Sequence, residues 1–215
     1  MLSSHHAIAD LNSLQLAQVV DNSDPDGRGR IRVRIHVNQM ECWAGVITSS
    51  AGQGYGTSFI PKKDETVVVA FVAGDFPLIL GSIWSGQGSI PAEAEAHEDK
   101  YSITTPAGTV MIFDDADGPK MKVRTPAGNS VTITDSGGGE IEMKTSTNTV
   151  KLSSSGIEIQ AATEIKLNAP MVTIDTSMMQ VNAPMATYSG VVQCNTIIAT
   201  SVVGASYTPG AGNIW

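Results

Sequence analysis

The sequence predicts an all-β protein in two parts, a small closed barrel followed by a needle of short stacked strands. Five runs rich in β-branched and aromatic residues lie between residues 14 and 86, separated by turn residues and without helical periodicity. Further on, an apolar–polar–apolar triplet recurs seven times between Val131 and Val181. Finally, no Asp, Glu, Lys or Arg occurs from Thr176 to Trp215.

Residues 1–13 read as an N-terminal arm ahead of the first strand. The barrel strands are expected at Leu14–Val20, Arg30–Val37, Trp43–Ser49, Thr66–Val72 and Leu78–Trp84. Turn chemistry separates them: Asp24-Pro25-Asp26-Gly27, Gly52-Gln53-Gly54, Pro61-Lys62-Lys63-Asp64 and Gly74-Asp75. Five short strands in so short a span suit an OB-fold barrel over residues 14–86. Residues 87–100, rich in Gly, Ala, Glu and Pro, read as a linker.

The shaft is expected over residues 101–185. It begins with a 20-residue unit in which Thr105-Pro106-Ala107-Gly108 and Thr125-Pro126-Ala127-Gly128 each lead into a strand. The seven triplets follow, with starts 10, 9, 7, 8, 7 and 7 residues apart, so the repeat tightens toward the C-terminus. Their apolar members form the predicted shaft core: Val131, Ile133, Ile141, Met143, Val150, Leu152, Ile157, Ile159, Ile165, Leu167, Val172, Ile174, Met179 and Val181. Alternation of period two gives each strand one dry face and one wet face. Strands this short do not fold alone and must stack on themselves or on other copies.

Two architectures close the open edges of such a stack. Three chains wind into an intertwined trimeric triple-stranded β-helix, each strand flanked by strands of the other two. Alternatively, one chain forms a β-solenoid of about 21 residues per coil that binds or cleaves polysaccharide. Periodicity does not separate them. The solenoid reaches only three or four coils, near the lower limit for stability, which favours the trimer. Residues 186–215 are the expected tip, with Ile197, Ile198, Val202, Val203 and Trp215 as its apolar residues.

Composition narrows the function. A net charge of −8 with a pI near 4.8 argues against nucleic acid as a partner, which demands a basic face. Cys42 and Cys194 fall in different parts, so a disulfide framework is not expected. The N-terminus shows no cationic region followed by a long apolar run, and no stretch has the length of a membrane span.

Asp24-Pro25-Asp26-Gly27-Arg28-Gly29-Arg30-Ile31-Arg32-Val33 resembles the turn-and-strand signature of phage baseplate spike proteins. So do Phe59-Ile60-Pro61, Thr66-Val67-Val68-Val69-Ala70-Phe71, Gly74-Asp75 and Leu80-Gly81-Ser82-Ile83-Trp84. The chain is identified on these residues as similar to the gpV-like and VgrG-like family of contractile tails. The resemblance implies a homotrimer under the central baseplate hub, whose needle pierces the target envelope when the sheath contracts. It implies a virion tail baseplate or phage-like particle, assembled in a bacterial cytoplasm, and no enzyme. Lytic relatives insert a lysozyme-like domain where this chain has only a linker. VgrG-type chains carry a large domain before the barrel, and the short segment here favours a phage-like spike. Some short spikes bind iron through a His-x-His pair near the tip, but the last histidine here is His97, so no apical metal or other cofactor is expected. The chargeless end suits either a bare apex entering the target membrane or a blunt end under a PAAR-like tip protein.

Other constellations have plainer readings. Arg28, Arg30, Arg32 and Arg34 alternate with apolar residues and are expected to face the hub. Few aromatics accompany them for stacking nucleic-acid bases. Asp24, Asp26 and Gly27 lack the later ligands of a calcium loop. Asp114, Asp115 and Asp117 read as a turn rather than a glycosidase carboxylate pair, and His5-His6 alone is no metal site. Cys194 reads as a buried small hydrophobe.

Overall fold

The computed structural model describes residues 14–73, 75–86, 88–94 and 98–206. Its first part is a closed five-stranded barrel. Strands β1 (Gln15–Asp21), β2 (Ile31–Ile35) and β3 (Glu41–Val46) precede a small hairpin, β4 (Ala51–Gly52) and β5 (Tyr55–Gly56); β6 (Thr66–Val72) and β7 (Phe76–Ile83) follow. The barrel order is β1-β2-β3-β7-β6, with β6 returning to β1. Every pair is antiparallel except β3 with β7. All five expected strands are present, shifted by a few residues at their ends.

Alternation builds the core. Ala17 and Val19 on β1, Ile31, Val33 and Ile35 on β2, Ala44 on β3, Val67 and Val69 on β6 and Ile79 on β7 are each at most 1% exposed. Closing the sheet removes its edges, so the barrel completes its backbone pairing within one chain.

The β1–β2 connection is held by one carboxylate. Asp24 accepts hydrogen bonds from the backbone N–H groups of Asp26, Arg28 and Arg30, and from Nε and Nη2 of Arg30, all at 3.0–3.1 Å. Gly27 and Gly29, at φ of 66° and 70°, supply the left-handed backbone that wraps the turn around it. The Asp24 side chain is only 3% exposed, and the Arg30 guanidinium holds its carboxyl far below the usual range. Because Arg30 also takes Asp26 at 2.7 Å, both carboxylates that resembled calcium ligands are already engaged.

Beyond the linker, seven strands form one antiparallel meander. They are β8 (Lys100–Thr104), β9 (Val110–Asp114), β10 (Lys120–Arg124), β11 (Ser130–Thr134), β12 (Glu140–Lys144), β13 (Thr149–Ser153) and β14 (Gly156–Gln160), paired in chain order. The expectation of flanking by other chains does not hold for β9 to β13, which have strands of their own chain on both sides. The physical reason is the turns, which are short enough to return each strand beside its predecessor. Thr105 and Thr125 close equivalent turns, their N–H groups donating to the carbonyls of Thr109 and Asn129 at 2.8 and 2.9 Å.

After Gln160 no strand is assigned through Ser206, and residues 162–206 are all exposed. Residues from Lys166 onward form a separate unit. The triplets from Ile165, Val172 and Met179 therefore have no ladder within a single chain. Among the described residues, no helix is long and apolar enough to cross a membrane.

Ile79→Ala is expected to destabilise the barrel by about 2–4 kcal/mol in denaturant titration, since the cavity sits in a closed core. Asp24 gives a pH signature. Its folded pKa is depressed, so its stabilisation is present above the ordinary carboxylate pKa of about 4 and is lost as pH falls toward the folded value. Asp24→Asn is therefore expected to melt several degrees below wild type at pH 7, and the gap is expected to narrow on acidification below about pH 4. A gap that stays constant from pH 7 to pH 2 counts against the staple.

Candidate functional site

The meander places fourteen apolar side chains on one face in two rows. Tyr101, Phe113, Met121, Ile133, Ile141, Leu152 and Ile157 form one row through direct cross-strand partners. Ile103, Met111, Val123, Val131, Met143, Val150 and Ile159 form the other. Each row crosses the sheet from β8 to β14.

Among the described residues, none buries this face. Val131, Ile133, Ile141, Met143 and Leu152 are exposed even though they sit on strands flanked on both sides, while Met121, Val123 and Val150 are half-buried by neighbours in the rows. Ile157, on the last strand, rises to 72%. A contiguous apolar face of this extent marks an association surface.

The opposite face is polar and largely self-satisfied. Its central row runs Ser102, Ile112, Lys122, Thr132, Glu142, Lys151 and Glu158, so opposite charges meet directly from β12 to β14. Lys151 Nζ also bonds Glu140 at 2.8 Å, and that contact raises its pKa. At the β8 end the linker docks on this face. Glu93 pairs with Arg124, and Ser102 Oγ donates to the Glu93 carbonyl at 3.3 Å. A backbone hydrogen bond and the Arg124 guanidinium lower the Glu93 pKa.

The predicted residues fall into three groups. Val131, Ile133, Ile141, Met143, Val150, Leu152, Ile157 and Ile159 all lie in the two rows. Ile165, Leu167, Val172, Ile174, Met179 and Val181 lie on the exposed run beyond β14, as do Ile197, Ile198, Val202 and Val203. Trp215, His5, His6 and His97 lie outside the described residues. Sequence reasoning missed Tyr101, Ile103, Met111, Phe113, Met121 and Val123, which extend both rows. Their signal was present in Tyr101-Ser102-Ile103 and Met121-Lys122-Val123, the same apolar–polar–apolar triplet.

On the barrel, the arginine strand carries its own counter-charges. Arg30 pairs with Asp24 and Asp26, Arg32 with Asp21 and Glu41 at 3.8 Å, and Arg34 with Glu41 at 2.7 Å. Trp43 lies 5.7 and 5.8 Å from the guanidinium carbons of Arg30 and Arg32. Three of the four arginines are thus matched, which leaves little net positive field for phosphate.

Asp114, Asp115 and Asp117 lie at a turn, where Asp115 N–H donates to the Asp99 carbonyl at 2.9 Å and Ser136 Oγ to that of Asp117 at 3.1 Å. Cys194 is a free, exposed thiol in the single chain rather than a buried one, because the run that carries it has no neighbour there. Cys42 is free and half-buried on β3, and burial raises its pKa. Among the described residues, no group of three His, Cys, Asp or Glu side chains converges as a metal site.

Comparison with known proteins gives two matches, one over the barrel and one that begins at β10 and runs past β14. Residues 15–84 match the family described as the type VI secretion system/phage-baseplate injector OB domain. Residues 120–180 match the phage baseplate V C-terminal trimerisation domain. The chain is similar to the type VI secretion system spike protein VgrG4b of Pseudomonas aeruginosa, 32% identical over 95 residues, or 39% of this chain and 12% of that protein. It is also similar to VgrG1a and VgrG1b of the same organism, each 30% identical over 81 residues, or 34% of this chain. Those stretches cover 13% and 11% of the two relatives, so the chain spans only a small part of the curated proteins it matches.

Proposed function

From a chain that belongs to the gpV-like and VgrG-like baseplate spike family, with an injector OB domain and a baseplate V trimerisation domain, we propose a non-enzymatic homotrimeric spike of a contractile injection machine. One observation carries the reading: a two-row apolar face exposed among the described residues, most of it on the segment that matches a trimerisation domain. Three copies turning these faces toward a common axis bury the rows and leave the charged faces in water. The barrel then serves as the base, and the Glu93–Arg124 pair fixes the linker to the first strands of the shaft.

The work in this reading is mechanical. The barrel passes load from the baseplate hub to the shaft, the closed prism resists buckling, and the chargeless end meets the target membrane or a PAAR-like tip protein. The matched arginines change the expected character of the hub contact. A face that holds Arg30, Arg32 and Arg34 against their own carboxylates offers Trp43 and a fixed pattern of charges rather than bulk positive potential. The assembly is placed in a phage tail baseplate or related particle. The solenoid reading is not favoured, since β8 to β14 pair in chain order as an antiparallel meander rather than in three-strand coils.

Light scattering is expected to give three times the chain mass of 22.5 kDa. A monomer at micromolar concentration sinks the spike reading. Ile159→Asp sets three charges at the end of one row and is expected to abolish the stable trimer. The barrel, which makes no use of that face, is expected to keep its own cooperative melting. A variant with wild-type mass and heat resistance counts against burial of the rows.

A further inference from the structure

The polar face of the meander is interrupted in one strand. On β8 and on β10 to β14 every side chain of that face is polar, apart from Gly156. On β9, Met111 and Phe113 take the apolar rows, which leaves Val110 and Ile112 on the polar side. Val110 is 2% exposed, and it is the one buried apolar residue outside the barrel among the described residues. In register it stands between Thr104 of β8 and Arg124 of β10.

The linker reaches this spot through Glu93. Pro91 to Ala94 make a single turn, closed by the Ala94 N–H donating to the Pro91 carbonyl at 2.8 Å. The Glu93 carbonyl accepts from Ser102 on β8, and its carboxylate pairs with Arg124 on β10. One residue is thus anchored on both strands that flank β9, and it spans β9 at the two apolar residues. Lys100 adds a second nearby cation, and together these groups keep the Glu93 pKa low. An apolar floor, a cation and a hydroxyl on three consecutive strands form a seat for this turn.

The seat holds the turn without locking it. The Arg124 side chain is 41% exposed, so its pairing with Glu93 is open to screening by salt. Thr104 Oγ1, in the row of Val110, is buried without a hydrogen-bond partner, a cost that the closed arrangement carries. A 3₁₀ turn of three residues has little stability apart from what it packs on.

We propose that Pro91–Ala94 is a releasable clasp, which when seated by Glu93 on Arg124 makes the barrel and the first strands of the meander turn as one body. Unseated, it leaves the two free to turn while each keeps its own fold. The clasp lies within one chain, so it goes beyond the spike reading without depending on the trimer.

A glutamate-specific protease and a rotational probe test it on the full-length protein. Arg124→Gln keeps Glu93 as the cleavage point and removes its partner. Cutting between Glu93 and Ala94, followed by mass, is expected to run severalfold faster in Arg124→Gln than in wild type. Arg124→Lys is expected to stay near wild type. Val110→Thr, which makes the floor polar at nearly constant size, is expected to speed the cut in the same direction. For the second readout, Lys62→Cys in a Cys42→Ala, Cys194→Ala background carries a rigidly attached dye on the barrel. Its anisotropy decay is expected to gain a faster component in Arg124→Gln, with light-scattering mass and barrel melting unchanged. Equal cutting rates in wild type and both disruptive variants overturn the clasp. A faster cut beside an unchanged decay overturns its role in coupling barrel to shaft. A trimeric mass beside either result leaves the spike reading standing.

Discussion

A seven-stranded sheet with an apolar face that no described residue covers is the constraint on which the rest of this molecule depends. Burial of apolar surface contributes roughly 25 cal/mol per Å², and the two rows forgo much of that gain in an isolated chain. The polar face satisfies its own charges through cross-strand pairs and has no such need. The chain is therefore asymmetric in its demands. Its barrel is closed on itself, and its sheet keeps one apolar face exposed.

The contrast between the two parts is one of edges. In the barrel, β6 returns to β1 and the parallel contact of β3 with β7 completes the ring. Nine residues fill its interior, and the Asp24 staple holds the long β1–β2 turn in place. Among the described residues, β8 and β14 have no strand on their outer edges, and no strand is assigned from Ala161 to Ser206. Closure by one chain gives a compact base that folds on local terms. In the proposed trimer the dry faces of three sheets close on one another, so the stiffness of the shaft belongs to the assembly.

This division suits the proposed spike, which is loaded from one end. A base with an internally neutralised arginine face keeps its geometry without relying on long-range charge, and its contacts are less open to screening by salt. The shaft directs its charges outward along the meander and loses them altogether after Asp175. A surface of Ser, Thr, Asn and Gln costs less to desolvate than one of carboxylates and ammonium groups. The acidic turn at Asp114, Asp115 and Asp117 is occupied by its own hydrogen bonds.

Much of this was legible before any coordinate. Alternation placed the five barrel strands, and it put Val131, Ile133, Ile141, Met143, Val150, Leu152, Ile157 and Ile159 on one side of their strands, where the meander keeps them. It under-read the β8–β10 portion, where Thr-Pro-Ala-Gly turns drew notice away from the same triplets at Tyr101 and Met121. Alternation determines which face of a strand is dry, because side chains alternate with a period of two whatever lies alongside. It carries no information about which strand is the neighbour. Backbone pairing is set by turn geometry and by edges, so only the tertiary structure decided that β8 to β14 pair within the chain and that the Ala162 N–H donates back to Asn148.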